Sequence, residues 1–337
     1  MKAVVLVGGE GTRLRPLTET IPKPLIPLVD RPFLYHVLDH VARHGVDEVR
    51  LSSSYLEETF SPALAGRAGR LTVTWIPEPM PLGTGGAVAN AALGLDETFL
   101  VLNGDILTDL DLTAMVARHR ETRATATIAL TPVQDARPFG LVAMDDDGAV
   151  REFREKPEQE VPGLINAGTY VLEPAALAQV PGGRAVSIER ETFPALIGSE
   201  APVQGFVSTA YWIDVGTPQK YLRASFDALE GRIGGLAYVA PHVEGTARVS
   251  LQAHLGRWVV VGPGAMVEDD AEVEDSVLLE GASVGEGAKV RESIIGPLAR
   301  VGQGAVVEGA VLAEGAVIPP GSSSVGARIG PGRTLDV

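Results

Sequence analysis

The sequence of 337 residues contains no cysteine. This absence excludes disulfide bonds, thiolate metal sites, iron–sulfur clusters and cysteine nucleophiles. Basic residues are also scarce, with 28 Lys and Arg against 43 Asp and Glu, and a net charge of −15 disfavours binding to nucleic acid or to an anionic membrane. No apolar run approaches the roughly 20 residues of a membrane span, and the run after Met1 is shorter than the core of a signal peptide. These absences predict a cytoplasmic protein that binds neither nucleic acid nor membrane.

Apolar residues make up 45% of the chain, which is enough for a large core. Over the first 230 residues, short apolar strands alternate with amphipathic helices, and strands at this spacing pair in parallel through right-handed crossovers. The pattern predicts strands at Lys2–Val7, Val49–Ser52, Leu71–Ile76 and Thr98–Leu102, and helices at Pro32–Gly45, Tyr55–Ala65, Thr84–Leu93 and Leu112–Glu121. Asp145–Gly148 predicts a hairpin turn before Ile165–Leu172 returns to the sheet. We therefore expect an α/β domain with a Rossmann-like mixed, mainly parallel sheet over residues 1–230.

The pattern changes after Gly231. From Val261 an aliphatic residue recurs at every sixth position, and the period resumes at Val284 and at Ile295 after slips of one residue. Small residues follow each aliphatic, so the repeat is typical of a triangular coil of parallel strands with inward-pointing aliphatics. It resembles the left-handed β-helix of hexapeptide-repeat proteins. We predict that residues 231–337 form a linker and a C-terminal left-handed parallel β-helix, with a structural role in subunit contact or in bracing the first domain.

A glycine-rich segment, Gly8-Gly9-Glu10-Gly11-Thr12-Arg13, directly follows the first predicted strand. Backbone N–H groups in such a loop can gather around phosphate oxygens. The dinucleotide fingerprint needs a glycine where Leu14 stands, and the Walker-A loop needs a Gly-Lys pair, which the sequence lacks. What remains is a loop with Arg13 and, ten residues later, Lys23 between two prolines. Taken alone, it is either a phosphate-binding loop or a turn with surface cations.

Further motifs decide between these readings. The loop and the Pro22-Lys23-Pro24 segment resemble the signature of the sugar-1-phosphate nucleotidylyltransferases, also called nucleoside-diphosphate-sugar pyrophosphorylases. Six more segments resemble that family's motifs and occur in its order: Pro81–Ala87, Asn103–Asp105, Phe139–Gly140, Glu155–Pro157, Asn166–Tyr170 and Trp212–Gly216. The resemblance covers residues 1–230, and a β-helical tail is also familiar in the family. Seven motifs in order are far more specific than one glycine-rich loop.

The resemblance implies transfer of a nucleotidyl group from a nucleoside triphosphate (NTP) to a sugar 1-phosphate, with release of pyrophosphate. Both reactants are polyanions, so the main task is neutralising charge and aligning the groups, for which Mg²⁺ is suited. The implied catalytic residues are Arg13, Lys23, Asp105 and Lys156, and the implied Mg²⁺ ligands are Asp105 and Asp214. The implied nucleotide-binding residues are Gly8, Gly9, Gly11, Thr12, Arg13, Lys23, Pro81, Gly83, Thr84, Gly85, Asn103 and Gly104. The implied sugar-phosphate-binding residues are Gly140, Glu155, Lys156, Asn166 and Thr169.

The substrate is less clearly indicated than the reaction. Three segments are similar to those of mannose-1-phosphate guanylyltransferases, which implies GTP and mannose 1-phosphate: Gly83–Ala87, Asn166–Tyr170 and Ser187–Pro194. Two alternatives stay open: another nucleotide or sugar phosphate (dTTP, UTP or ATP with glucose 1-phosphate, or a heptose 1-phosphate), and a non-catalytic subunit that senses nucleotide-sugars. A third, an acyltransferase activity of the β-helix, is disfavoured. The last commonly needs a histidine in the coil, and no histidine follows Val261. Because a β-helix with a free end tends to be capped or paired, we expect a homodimer or a higher homo-oligomer.

Three histidines, His36, His40 and His44, recur at every fourth position of the predicted Pro32–Gly45 helix. This spacing can bind zinc, but the residues flank the apolar stripe and no H-E-x-x-H motif is present. We interpret them as residues at the edge of the buried face.

Overall fold

The computed structural model describes residues 1–53, 60, 71–78, 80–199 and 201–336. The chain divides into two compact units. The first unit combines Met1–Gly9 with Val37–Trp212, and the second combines Glu10–His36 with Ile213–Val337. In the described part of the chain, none of the helices has the length and apolar character of a membrane-spanning segment.

Five α-helices lie in the described residues: α1 (Phe33–Arg43), α2 (Gly83–Ala91), α3 (Leu112–Thr122), α4 (Phe193–Gly198) and α5 (Pro218–Leu229). Short 3-10 helices occupy Thr12–Leu14, Leu17–Glu19, Lys23–Leu25 and Pro174–Leu177, and a π-helical turn occupies Ile188–Thr192. The strands before the coil are β1 (Lys2–Leu6), β2 (Pro27–Leu28), β3 (Arg31–Pro32), β4 (Glu48–Ser53), β5 (Thr72–Pro77), β6 (Phe99–Asn103), β7 (Ile106–Thr108), β8 (Ala126–Val133), β9 (Gly140–Met144), β10 (Val150–Glu155), β11 (Gly163–Leu172), β12 (Val203–Val207) and β13 (Trp212–Asp214).

The first unit contains a nine-stranded mixed sheet with the order β10-β9-β11-β6-β1-β4-β5, and β8 joins it between β11 and β12. Strands β6, β1, β4 and β5 run parallel, as the helical crossovers predict. Strand β11 is antiparallel to β6, β8 and β9, so the antiparallel part is as large as the parallel part. Aliphatic side chains such as Val4, Val101 and Ile128 are fully buried around Tyr170 and Phe193. The predicted α/β class with a mixed sheet is confirmed.

Most elements predicted before the coil are present, with ends shifted by at most two residues. The Asp145–Gly148 turn joins β9 and β10 as an antiparallel hairpin, and Gly148 adopts a left-handed φ of +88°. Apart from Phe60, the predicted helix at Tyr55–Ala65 lies outside the described residues.

The second unit contains a coil of short parallel strands arranged in three sheets. Its strands are β14 (His242–Val243), β15 (Arg248–Val249), β16 (His254–Leu255), β17 (Val259–Val261), β18 (Met266–Val267), β19 (Glu272–Glu274), β20 (Ser276–Leu278), β21 (Ser283–Val284), β22 (Lys289–Arg291), β23 (Ile294–Ile295), β24 (Arg300–Val301), β25 (Val306–Glu308), β26 (Val311–Leu312), β27 (Val317–Ile318), β28 (Ser323–Val325) and β29 (Arg328–Ile329). The aliphatics of the six-residue repeat are buried together inside the coil. Three parallel sheets around an aliphatic core are the arrangement predicted for the β-helix. The coil begins earlier than the repeat predicts, however, because β14 and β16 already belong to its sheets. His242 and His254 therefore lie in the coil, so the expectation that the coil contains no histidine is wrong.

The slips in the repeat come from one short corner of the coil. Stacked positions lie 17 residues apart along this corner, one fewer than three six-residue sides would give. Asp275 and Glu292 adopt left-handed φ angles there, and Gly309 and Gly326 do the same in the following turns of the coil. From β17 onwards, each turn of the coil is therefore one residue shorter because of a tight left-handed bend.

Candidate active site

The glycine-rich segment folds back on itself in the second unit. Gly11 has a left-handed φ of +59°, and its carbonyl accepts hydrogen bonds from the Thr18 hydroxyl (2.9 Å) and the Leu14 N–H (2.8 Å). A Cβ atom added to Gly11 would lie 2.9 Å from Thr18 Cγ2 and 3.2 Å from Lys23 Cβ. Only glycine allows both the bend and this close packing. The loop thus brings Lys23, ten residues after Arg13, next to Gly11.

Arg13 lies close to a carboxylate from the far end of the predicted catalytic domain. Its Nη2 is 3.8 Å from Asp214 Oδ2, and the same oxygen accepts a hydrogen bond from Lys220 Nζ at 3.2 Å. Asp214 is 17% exposed, whereas Arg13 is 63% exposed. Helix α5 positions Lys220, because the side chain of its N-cap residue Thr217 accepts the Lys220 N–H. The second unit therefore holds two cations around one nearly buried carboxylate.

Gly216 makes this arrangement possible. A Cβ atom at this position would lie 2.5 Å from Arg13 Nη2 and 2.9 Å from Asp214 Oδ1. The Gly216 N–H also donates to the Asp214 carbonyl at 2.9 Å, which fixes the bend after β13. The glycine of the Trp212–Gly216 motif is thus required by the guanidinium that occupies the space of its missing side chain.

In the first unit, Gly8 and Gly9 follow β1 as exposed residues, and nothing lies within 4 Å of a Cβ added to Gly9. A carboxylate that the sequence motifs do not include, Glu78, borders this segment: its Oε1 would lie 3.8 Å from a Cβ added to Gly8. Glu78 is held by the Ser52 hydroxyl (3.1 Å) and by the Leu82 N–H (3.0 Å). The end of β1 therefore presents open backbone beside a fixed carboxylate.

The Pro81–Ala87 motif forms the turn that opens α2. Pro81 and Gly83 are exposed, and Gly83 has a φ of +67°. Added Cβ atoms at Gly83 and Gly85 would lie 2.6 Å from the Val186 carbonyl and 2.9 Å from Thr192 Oγ1, respectively. The family resemblance implies that these glycines leave room for a base, whereas here the protein's own backbone and side chains occupy that space. Their contact with a nucleotide stays a prediction.

Thr84 connects this turn to the segment that contains the π-helical turn. Its hydroxyl donates to Glu189 Oε2 at 2.7 Å and accepts the Ile188 N–H at 2.9 Å. Glu189 Oε2 also accepts the Ser187 hydroxyl at 2.8 Å. Glu189 lies in the Ser187–Pro194 segment that carries part of the family resemblance, but no sequence signal marks it as a site residue.

Asn103, Gly104 and Asp105 form the turn between β6 and β7. The Gly104 N–H donates to the Leu6 carbonyl at 2.8 Å, where a Cβ would lie 2.6 Å from that oxygen. Gly168, in a bulge of β11 with φ +67°, packs so closely that its Cβ would lie 2.6 Å from Asn103 Nδ2. Asp105 is half-buried, and Asn103 Oδ1 is buried without a hydrogen-bond partner among the described residues. Two motifs far apart in sequence thus fix one turn that carries the carboxylate of Asp105 and the buried amide oxygen of Asn103.

The Glu155-Lys156-Pro157 motif lies at the end of β10, opposite Gly140 on β9. A Cβ at Gly140 would lie 3.0 Å from Glu155 Oε2 and 2.7 Å from the Phe153 ring, so a side chain there would displace the carboxylate. Lys156 has a left-handed φ of +51°, and its N–H donates to the Phe139 carbonyl at 2.9 Å. Its Nζ is 3.9 Å from Glu155 Oε1, and its side chain is 59% exposed. This end of the sheet offers an accessible cation beside a carboxylate.

Several acidic groups surround Tyr170, which is fully buried. Asn166 Nδ2 donates to the Tyr170 hydroxyl at 2.8 Å, and Asn166 Oδ1 accepts the Gly168 N–H at 2.9 Å. Burial and the charge of Glu189 raise the pKa of Tyr170 well above its usual value, and Glu155 and Asp105 act in the same direction. Burial, followed by the charge of Glu189, also raises the pKa of Glu155. The predicted sugar residues Glu155 and Asn166 therefore share one polar cluster, next to the buried Thr169.

The oxygen ligands present suit a divalent metal ion. Mg²⁺ prefers carboxylate, phosphate and water oxygens. Asp105 lies in a turn whose neighbouring Asn103 Oδ1 is buried without a described partner, and Asp214 is the carboxylate that the two cations of the second unit surround. Each of the two predicted ligands thus has the chemistry that the ion requires.

The three helical histidines have different surroundings. His36 Nε2 lies 3.0 Å from the Leu28 carbonyl, and His44 Nδ1 lies 2.9 Å from Thr113 Oγ1. Burial, with the charges of His44 and Arg43, lowers the pKa of His40 from 6.5 to about 4. His36 and His40 are buried, and the ring centroids of His40 and His44 lie 5.0 Å apart.

The mixed sheet and the cationic, glycine-rich segment define an α/β protein equipped to bind phosphate anions. Comparisons with known proteins agree with this class: the family model for nucleotidyl transferase matches residues 2–231, and the model for the GMPPB C-terminal domain matches residues 239–336. The chain belongs to the nucleotidyl transferase family and is an enzyme of that class. Members of this family generally use a divalent metal ion.

Individual relatives extend the similarity over most of the chain. The chain is 41% identical over 286 residues to a mannose-1-phosphate guanylyltransferase of Mycobacterium tuberculosis. The aligned region covers 82% of this chain and 79% of that protein. It is 36% identical over 289 residues to a probable mannose-1-phosphate guanylyltransferase 3 of Oryza sativa, and this aligned region covers 83% of this chain and 80% of that protein. Among solved structures, HddC from Yersinia pseudotuberculosis matches with a TM-score of 0.59 and 32% identity, over 66% of this chain and 97% of HddC.

Proposed function

We propose that this enzyme transfers the guanylyl group of GTP to mannose 1-phosphate in the cytoplasm, forming GDP-mannose and releasing pyrophosphate. The observation that carries the proposal is the similarity to relatives of that name across about four fifths of both chains. The arrangement of charge supports it, because Arg13 and Lys23 belong to one compact unit and Lys156 is an exposed cation beside Glu155. A reaction between two polyanions needs cations for each.

The proposed roles follow from these positions. Arg13 and Lys23 neutralise the triphosphate and the leaving pyrophosphate, while the backbone of Gly8, Gly9, Gly11 and Thr12 approaches the nucleotide. Lys156 holds the sugar phosphate, and Glu155 and Asn166 accept hydrogen bonds from sugar hydroxyls. The phosphate oxygen of the sugar attacks the α-phosphorus, and the P–O bond to pyrophosphate breaks. Asp105 and Asp214 are the proposed ligands of Mg²⁺, which when bound neutralises phosphate charge and aligns the reacting groups.

Glu78 supports guanine as the base. Guanine presents the N1–H and N2–H₂ donors side by side, and a carboxylate accepts from two such donors at once. Glu78 is held beside Gly8, and Gly8 belongs to the segment that we expect to approach the nucleotide. We propose that the Glu78 carboxylate accepts hydrogen bonds from N1–H and N2–H₂ of guanine. The sequence motifs do not include this residue.

Pyrophosphate release measured over four NTPs and a panel of sugar 1-phosphates tests the proposal. We expect the highest kcat/KM for GTP with mannose 1-phosphate, at least about tenfold above every other pair. A higher value for dTTP, UTP or ATP, or for a glucose or heptose 1-phosphate, would contradict the substrate assignment. No turnover with any pair would instead favour the nucleotide-sugar-sensing subunit.

Two further assignments belong to the same proposal. We propose a catalytic domain over residues 1–230, followed by a linker and β-helix over residues 231–337. We also propose that the enzyme assembles as a homodimer, and sedimentation velocity measures that directly. A monomer at micromolar concentration would contradict the assembly without affecting the reaction.

A further inference from the structure

Lys220 pairs with Asp214, the carboxylate that we propose as a metal ligand. Its Nζ donates to Asp214 Oδ2 at 3.2 Å, and Arg13 Nη2 is 3.8 Å from the same oxygen. Lys220 is 34% exposed and Asp214 is 17% exposed, so the pair is only partly screened by water. Its position is fixed at two points, since its N–H donates to the Thr217 hydroxyl and its side chain donates to Asp214.

The local charge decides what this carboxylate can bind. Asp214, Arg13 and Lys220 together carry a net charge of +1 before any metal ion arrives. A divalent cation at Asp214 would then meet two like-charged groups within a few ångströms. A bound triphosphate reverses the balance, because it brings several negative charges and compensates Lys220 and Arg13 as well as the metal ion. The affinity of Asp214 for a divalent ion is therefore expected to depend on the nucleotide.

We propose that Lys220 is a positioning residue that serves as the resident counterion of Asp214, so that the divalent ion enters this site together with the nucleoside triphosphate rather than before it. The inference rests on the proposed metal-binding role of Asp214. Lys220 occupies and orients the carboxylate in the free enzyme and yields it when the metal–triphosphate complex arrives. No sequence motif indicates this role, because Lys220 lies outside the Trp212–Gly216 segment and is followed by ordinary residues of α5.

The test measures binding of Mn²⁺ to the full-length protein without nucleotide, from the electron paramagnetic resonance signal of the free ion. We expect Lys220→Met to bind Mn²⁺ about tenfold more tightly than the unmodified protein, because one opposing charge is removed from a partly exposed site. Lys220→Arg keeps the charge, so its affinity should stay within about twofold of the unmodified protein. When GTP is added, the difference between Lys220→Met and the unmodified protein should shrink, since the triphosphate then dominates the local charge.

Two control variants locate the effect. Adding Asp214→Asn to Lys220→Met should abolish the gain, because the carboxylate that binds the ion is gone. Lys289→Met removes a similar lysine–carboxylate pair on the coil, where Nζ lies 2.8 Å from Glu272 Oε1, and should leave Mn²⁺ binding unchanged. Thermal unfolding verifies that each variant is folded, and Lys220→Gln replaces Lys220→Met if the latter does not fold.

An unchanged Mn²⁺ affinity in a folded Lys220→Met protein would overturn the inference, and so would a gain that survives Asp214→Asn. These outcomes are separate from the substrate assignment. Failure of GTP and mannose 1-phosphate as substrates leaves the Mn²⁺ measurement intact, while failure of the Mn²⁺ measurement leaves the turnover panel intact.

Discussion

A single missing methyl group at Gly216 determines whether Arg13 can approach Asp214. The added Cβ of Gly216→Ala would lie 2.5 Å from Arg13 Nη2, the far end of a flexible side chain. The guanidinium can move away, so we expect the melting temperature to change by less than about 2 °C while kcat/KM falls at least about tenfold. Pyrophosphate release and thermal unfolding measure the two effects. Gly245→Ala, where nothing lies within 4 Å of the added atom, is the matched control and should retain full turnover.

Glu78 offers a second test at the scale of one residue. Glu78→Gln keeps the size of the side chain but replaces one acceptor with a donor, which would face the N–H groups of guanine. We expect kcat/KM for GTP to fall about tenfold to a hundredfold, with less effect on weakly used nucleotides. Glu97→Gln changes a carboxylate that the structure gives no part in the site, and it should have no effect. An equal loss for all four NTPs would mean that Glu78 only supports the Leu82 turn.

His40 predicts how stability depends on pH. Its pKa is lowered from 6.5 to about 4 by burial and by the charges of His44 and Arg43. Between these values the unfolded chain binds a proton that the folded chain does not, so protonation favours unfolding. The contribution of neutral His40 to the free energy of unfolding is fully present above pH 6.5. It is lost as the pH falls towards 4, and the total loss is up to about 3 kcal/mol. Urea unfolding at several pH values should show this loss reduced in His40→Gln but not in His254→Gln, where the substituted residue is exposed.

The residues that could be predicted from the sequence are those inside motifs. Arg13 and Asp214 were both implied by the family signature, and they lie 3.8 Å apart in the second unit. Lys220 and Glu78 carry no such signal, because one lysine on a helix or one glutamate before a proline looks like an ordinary surface residue. Their positions depend on backbone bends at Gly216 and Leu82, which the sequence alone does not specify.

At the scale of elements, buried serines at the short corner of the coil replace backbone hydrogen bonds. Ser293 Oγ donates to the Arg291 carbonyl at 2.6 Å and accepts the Ala310 N–H at 3.0 Å, while Ser276 Oγ accepts the Ser293 N–H one turn earlier. Ser293→Ala would leave the Ala310 N–H buried without its acceptor. We expect a loss of about 1–3 kcal/mol in the free energy of unfolding, measured by urea titration. The exposed Ser323→Ala should change it by less than about 0.5 kcal/mol, and equal values for the two variants would refute this reading.

The coil was more predictable than the sheet, for a physical reason. Each turn of the coil repeats the same environment, so the aliphatic period and even its slips appear directly in the sequence. Strand β11, in contrast, is antiparallel to three neighbours and carries a bulge between Asn166 and Tyr170. That bulge depends on the fit of Gly168 against Asn103, a non-local contact with no periodic signal.

At the scale of the whole molecule, the segment of residues 10–36, which contains Arg13 and Lys23, shares one compact unit with residues 213–337. The domain boundary after residue 230 stays a prediction. The Tyr238 hydroxyl donates to Asp30 Oδ1 at 2.7 Å, and a Cβ added to Gly330 would lie 3.6 Å from Glu19 Oε2. Residues 231–337 therefore contact the segment that contains Arg13 and Lys23, through Tyr238 before the coil and through Gly330 in the coil.

Removing residues 231–337 should consequently affect chemistry as well as stability. Without these contacts the segment of residues 10–36 loses part of its packing, so we expect KM for the NTP to rise and turnover to fall at least about tenfold, even where the nine-stranded sheet stays folded. Tyr238→Phe isolates one contact and should lower the free energy of unfolding by about 1 kcal/mol, while the exposed Val239→Ala should not. Circular dichroism reports the fold and pyrophosphate release reports the kinetics. Unchanged kinetic constants in the truncated enzyme would contradict this prediction and would leave the coil with a structural role alone.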